Sequence, residues 1–298
     1  MDIQGLNDQF GLPGVLAFEQ DGELVLVRVT SSAANATVYL HGAHITHWQP
    51  EGHDEVLYLS PTSAMEAGKA IRGGVPVCFP WFGPRSDGGA GPMHGFARVQ
   101  DWEVAFAALV PSVANGDEVH LTLTLAPNEL SRSLGWDNFR VAYQLIIGRT
   151  LTLRLTVANT GTTSFKVEEA LHTYFAVPDV RTILITGVEG AEYIDKTDSF
   201  ARKHRPQEPL RFTAATDSMF PEHTGDCTVA WPGGGFTNHK SGSGTTVIWN
   251  PWTTNLPADV PEGGWEKFVC VEAANAGMDA VKVSPGETHT MEAKVILS

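Results

Sequence analysis

The sequence predicts an all-β chain, with antiparallel strands folded as a sandwich or barrel and few short helices. Three observations carry that reading. Apolar side chains recur at every second position over long stretches, turn residues separate those stretches, and no amphipathic helix runs beyond about three turns. Strands do not alternate with helices, so a dinucleotide-binding α/β fold is not expected.

The strands follow in chain order. "ELVLVRV" near the start reads as a strand buried on both faces. "HGAHITHW", after "ATVYL", reads as another because Gly42, Ile45 and Thr46 disfavour a helix. On it, His41 and His47 would share a face about 20 Å apart, with His44 on the other face, so the three histidines close around no metal. "TSAMEAGKAI" (62–71) is the one stretch read as able to form a short helix. "VHLTLTLAP" sets Val119, Leu121, Leu123 and Leu125 against His120, Thr122 and Thr124; "TLTLRLTVANTG" sets Leu151, Leu153, Leu155 and Val157 against Thr152, Arg154 and Thr156. "TTVIWN" reads as a more fully buried strand. "TMEAKVIL" alternates through Met291, Ala293, Val295 and Leu297. Such half-buried alternation marks antiparallel sheets. Turns are expected at "ANG" (114–116), "NTGT" (159–162), "PGGG" (232–235) and "SPGE" (284–287). No stretch reads as a linker, so residues 1–298 are expected to form one domain.

Composition narrows the function classes. The 298 residues carry a formal net charge of -14, which argues against a nucleic-acid binder, since such proteins need many phosphate-facing cations. No apolar run is long enough to span a bilayer, and "MDIQGLNDQFGLPG" lacks the basic start and apolar core of a secretion signal. Cys78, Cys227 and Cys270 are odd in number and widely spaced, matching neither a disulfide framework nor a zinc pattern. A reducing cytoplasm is the expected setting.

Local chemistry concentrates in three places. Residues 69–98 hold Lys69, Arg72, Arg85 and Arg98 against Asp87 alone, a local inversion of charge in an acidic chain. Arginine suits multidentate recognition of an anion, and paired glycines allow close backbone approach to a ligand. In "FVCVEAAN", alternation groups Phe268, Cys270 and Glu272 on one face. A carboxylate there is costly unless paired or useful. In "EEALHTYF", Glu168, Ala170, His172 and Tyr174 share the more polar face, opposite Leu171, Thr173 and Phe175.

Together "IRGGVPVCFPWFG", "HGFAR", "EALHTYF", "YIDK", "TDSMF", "VIWNPW" and "VCVEAAN", in this order, resemble the aldose 1-epimerase superfamily, in particular its glucose-6-phosphate 1-epimerase branch. The resemblance runs from about residue 10 to the C-terminus. It implies a large antiparallel β-sandwich of the galactose mutarotase type. It also implies a cofactor-free and metal-free isomerase that interconverts the α and β anomers of a sugar phosphate. By resemblance the catalytic histidine falls on His172 and the catalytic glutamate on Glu272. Arg72 and His94 fall on sugar-binding positions, Arg98 on a phosphate or sugar contact, and Asp217 on the residue that binds sugar hydroxyls. The branch commonly reads Asp-Arg-Val-Tyr where this chain has Asp217, Ser218, Met219 and Phe220, so an arginine and a tyrosine hydroxyl are missing. A monomer is expected. Competing readings are an epimerase of unphosphorylated aldoses and a non-catalytic carbohydrate-binding sandwich. A glycoside hydrolase ranks last because it normally uses two carboxylates.

The expected chemistry is ring opening, in which O1 loses a proton while the ring oxygen gains one. A carboxylate base, Glu272, and an imidazolium acid, His172, on opposite sides of the C1–O5 unit would serve. Each proton transfer contributes roughly 10²- to 10⁴-fold.

Overall fold

Alternating burial organises the chain into antiparallel sheets. The computed structural model describes residues 2–113 and 116–298, so Ala114 and Asn115 of the expected turn at 114–116 lie outside the described residues. One eight-stranded sheet is ordered Leu184–Thr186, Cys227–Trp231, Gly234–Ser241, Thr288–Leu297, Leu151–Asn159, Phe139–Ile147, Gly116–Leu125 and Glu103–Ser112. Its register lines up Leu121 with Leu145, Leu145 with Leu153, and Leu153 with Ala293. These side chains face one core, while Arg154 on the outer face donates to Glu292 Oε2 at 2.8 Å and Gln144 Oε1 at 2.7 Å. Period-two alternation therefore separates a buried ladder from a polar one.

The second eight-stranded sheet carries the chemistry. Its path runs Ala201–His204, Glu192–Asp195, Thr216–Phe220, Thr245–Asn250, Phe268–Asn275, Glu169–Leu171 and Val77–Cys78, with Tyr174–Ala176 also paired to Phe268–Asn275. Every residue of Phe268–Asn275 is buried. Val269, Val271 and Ala273 point into the core shared with the first sheet, leaving Cys270 and Glu272 on the opposite face. A four-stranded sheet, Leu16–Asp21, Leu24–Thr30, Ala34–Tyr39 and His44–Pro50, adds Val27, Val29, Val38 and Trp48 to the same core. The molecule is a large antiparallel β-sandwich, as its sequence period predicts.

Three local expectations differ. Residues 62–71 form turns and extended chain, not a helix: Gly68 has φ +76°, and Met65 and Ile71 pack with Leu24, Leu26 and Tyr39. Anchoring two apolar side chains on a sheet outweighs a weak helical preference. Among the described residues the α-helices are Ile3–Phe10 and Glu129–Ser133, the latter capped by Asn128. His41 is not on the strand of His44 and His47, because Gly42 (φ +72°) and Ala43 (φ +49°) break the chain between them. The paired glycines of "IRGG" pack closely against protein backbone. A Cβ on Gly73 would lie 2.3 Å from Tyr58 O, and one on Gly74 2.2 Å from Ile45 O. Fully buried His44 donates from Nε2 to Gly73 O at 2.7 Å, tying this loop to the four-stranded sheet.

Candidate active site

Strand register brings together residues one hundred positions apart. Leu171 pairs with Ala273 and Tyr174 with Cys270. The chain breaks between these pairs, where His172 N donates to Pro76 O at 3.0 Å. The common register on either side of the break sets His172 directly across from Glu272. Nε2 of His172 lies 3.4 Å from Oε1 of Glu272. On the other side, Val247 pairs with Glu272 and Asp217 with Trp249, which brings Asp217 to the same sheet face.

Over this face lies a pocket of about 160 Å³, lined by His172, Glu272, Arg72, His94 and Asp217 together with Lys196, Tyr174, Trp249, Phe82 and Val247. Five of the six expected site residues therefore meet in one cavity. Arg98 does not line it: its Nη2 donates to Met93 O at 2.8 Å, and its buried Nε has no partner. It still acts on the site electrostatically, disfavouring the protonated forms of His94 and His172. Arg85 and Lys69 are also away from the pocket, paired with Asp87 at 2.5 Å and Glu66 at 2.7 Å.

Each lining side chain is held by protein contacts. Arg72 donates from Nε to Asp259 Oδ1 and from Nη1 to Tyr174 Oη, both at 2.9 Å. This planar fork fixes the guanidinium against the pocket wall. Tyr174 stacks on the His172 ring with centroids 5.0 Å apart and planes 12° apart; Trp249 meets that ring edge-on at 6.0 Å. Gly83 N donates to His94 Nδ1 at 3.1 Å, so neutral His94 carries its proton on Nε2 as a donor. His94 itself sits at φ +63°, and a Cβ on the following Gly95 would lie 2.0 Å from Phe79 O. Only glycine permits that turn.

Burial sets the protonation states. It raises the Glu272 carboxyl well above its usual range, with Asp217 adding to the rise and Lys196 and Arg98 opposing it. It lowers His172 well below its ordinary value, assisted by His94, Arg98 and Arg72. His94 is pushed down to about 3, first by burial and then by Arg98, Lys196 and Arg72. Burial also raises Asp217. Both shifts favour the uncharged form of the His172–Glu272 contact. Glu272 Oε2 and His172 Nδ1 are buried without hydrogen-bond partners, which leaves capacity for a polar ligand. Cys270 contributes a sulfur within 4.8 Å of both groups. Burial and Glu272 hold that thiol well above its ordinary value, so it is a small neutral neighbour, not a thiolate ligand.

The expected acid and base, His172 and Glu272, stand side by side, not on opposite sides of a ring. O1 and O5 are attached to the same carbon, so an adjacent donor and acceptor at 3.4 Å can address both. Sequence reasoning missed Lys196, Tyr174, Trp249 and Asp259. Lys196 ends the "YIDK" motif and Trp249 lies in "VIWNPW", so the signal for those two was present. The role of Asp259 depends on a loop folding back onto Arg72, which has no local signature.

The aldose 1-epimerase family pattern matches residues 25–295. The chain is 33% identical over 271 residues to an Escherichia coli protein described as a "putative glucose-6-phosphate 1-epimerase", covering 88% of this chain and 87% of that one. A Salmonella typhimurium protein with the same description is 32% identical over 295 residues, covering 94% and 96% of the two chains. The crystal structure of a "putative mutarotase" (YeaD) from Salmonella typhimurium superposes with a TM-score of 0.88 at 27% identity, over 96% of this chain and 94% of that one. With the sandwich and its pocket, these matches establish that the chain belongs to the aldose 1-epimerase family and is an isomerase, a mutarotase of aldoses.

Proposed function

We propose that the enzyme interconverts the α and β anomers of a hexose 6-phosphate, glucose 6-phosphate first among them, with His172 and Glu272 as its acid/base pair. The observation that carries the acid/base assignment is the buried 3.4 Å contact between these groups at a pocket face that also holds Arg72, His94 and Asp217. The phosphorylated substrate is supported by the descriptions of the E. coli and Salmonella relatives.

The proton inventory closes. With the pair as carboxylate and imidazolium, Glu272 takes the O1 proton while His172 gives one to O5, and the C1–O5 bond breaks. The products are the open aldehyde, a protonated Glu272 and a neutral His172. That is the uncharged state which burial favours. After rotation about C1–C2, His172 takes the O5 proton and Glu272 returns one to O1 as the ring closes on the other face. The two tautomers of the pair thus correspond to the closed and open forms of the sugar. Arg72, the Nε2 proton of His94 and Asp217 hold the hydroxyls during rotation, and Arg98 contributes its positive field from outside the pocket lining.

One observation favours a second reading, an epimerase of unphosphorylated aldoses. Both cations that line the pocket already face carboxylates: Arg72 meets Asp259 at 2.9 Å and Lys196 meets Asp217 at 3.4 Å. Ser218 also stands where the branch commonly has arginine. Exchange NMR between anomers at equilibrium separates the readings. Enhanced exchange of glucose 6-phosphate over glucose and galactose is expected. Enhancement of free galactose alone selects the second reading, and enhancement of none refutes both.

A further inference from the structure

Among the polar residues lining the pocket, Lys196 has no role in the chemistry as described. It follows the strand Glu192–Asp195, and its backbone N donates to Asp217 O at 2.9 Å, which fixes it beside the Asp217 strand. Its ammonium stands 4.8 Å above the centre of the Phe82 ring and 3.4 Å from Asp217 Oδ1. The side chain is 20% exposed, against 1% for Glu272, so it approaches from the solvent side of the pocket. The adjacent acid, Asp195, does not neutralise it. Asp195 is taken up by Lys203 at 2.8 Å and by the hydroxyl and backbone N of Thr197 at 2.6 and 2.9 Å. Arg72, the other cation of the lining, is held in place by Asp259 and Tyr174.

We propose that Lys196 is a positioning residue of the catalytic centre: from between Phe82 and Asp217, its ammonium supplies the positive charge that Glu272 needs to act as a base. This inference rests on the acid/base reading of His172 and Glu272. Two carboxylates, Asp217 and Glu272, share a small pocket and repel one another when both are ionised. A cation lining the same pocket, already 3.4 Å from Asp217, relieves that repulsion and stabilises the charged tautomer from which ring opening begins. Among the charged groups acting on Glu272, Lys196 has the largest effect, and it opposes the cost of burial. The other titratable groups around Glu272 are His172, Asp217, Arg98 and the thiols of Cys78 and Cys270. His94, Arg72 and Tyr174 line the same pocket. Of the two cations besides Lys196, Arg72 bonds Asp259 and Tyr174, and Arg98 bonds Met93 O and is not part of the lining.

The test compares Lys196→Gln and Lys196→Arg with the wild type, following the pH dependence of kcat/KM by anomer-exchange NMR with both glucose 6-phosphate and glucose. The expected result for Lys196→Gln is roughly tenfold lower kcat/KM at neutral pH, with the limb governed by Glu272 displaced upward by about one pH unit. The loss should be the same for every sugar the wild type turns over, and Lys196→Arg should restore most of it. A second measurement follows the Glu272 side-chain carboxyl directly by carbon NMR through a pH titration, where Lys196→Gln should again titrate at higher pH. An unmoved limb together with an unmoved carboxyl titration overturns the inference. A loss confined to the phosphorylated sugar also overturns it, by making Lys196 a phosphate contact. An active Glu272→Gln enzyme would instead overturn the acid/base reading, while the carboxyl titration would still report whether Lys196 acts on Glu272.

Discussion

Replacing Glu272 by glutamine preserves the size of the side chain and its ability to hydrogen-bond, and removes only its ability to carry the transferable proton. Removal of a positioned general base costs roughly 10²- to 10⁴-fold in rate, or about 3 to 5 kcal/mol of barrier. The upper part of that range is expected here, because Glu272 is 1% exposed and, among the described residues, no other carboxylate pairs with His172. Sugar affinity should change little, since Arg72, His94 and Asp217 remain. Stability should move in the opposite direction. Burial raises the folded-state value of the Glu272 carboxyl above its unfolded value. Its favourable contribution is therefore fully present below the unfolded value, near 4.5, and is lost as pH rises through the folded value. Glutamine does not titrate, so the variant should gain in thermal midpoint over the wild type as pH rises. Exchange NMR measures the rate and calorimetry at several pH values measures the stability. A variant with near-normal exchange, or one that gains nothing in stability between acid and alkaline pH, refutes the reasoning.

Three further outcomes follow from the same contacts. Arg72→Lys cannot reach Asp259 and Tyr174 with one planar group, so kcat/KM should fall roughly 10- to 100-fold with the fold intact, as steady-state kinetics and circular dichroism will report. Gly95→Ala places a Cβ 2.0 Å from Phe79 O at φ +80°; it should lower stability by more than about 1 kcal/mol and displace His94, read by urea unfolding and by KM. His44, buried and held at about 3, contributes stability that is complete above its unfolded value near 6.5 and is lost as pH falls toward 3, by at most about 5 kcal/mol. The stability gap between wild type and His44→Gln should therefore narrow between pH 7 and 4 in urea titrations.

The sheets were legible because their signal is local. Leu121, Leu123 and Leu125 need only their own spacing to define a buried face, and the same holds for Leu151, Leu153 and Leu155. Local spacing also separated Glu272 and Cys270 from Val269 and Val271, and His172 from Leu171 and Phe175. It failed at residues 62–71, where the packing of Met65 and Ile71 against distant Leu24, Leu26 and Tyr39 decides the conformation. It failed as well for the glycines of "IRGG". A glycine pair announces a close approach, but not whether the neighbour is a ligand or, as here, the carbonyls of Tyr58 and Ile45.

By itself the sequence determined the all-β class, the faces of the main strands and, through ordered motifs, the family and its acid/base candidates. Tertiary structure alone decided that His172 and Glu272 touch. Their meeting depends on the register that pairs Leu171 with Ala273 and Tyr174 with Cys270, a choice made by packing across the whole sheet. The same long-range placement put Lys196 into the pocket and left Arg98 out of its lining, and buried His172 and Glu272 deeply enough to favour their uncharged forms. Burial and register are properties of the assembled sheets, and neither can be read from the residues flanking a single side chain.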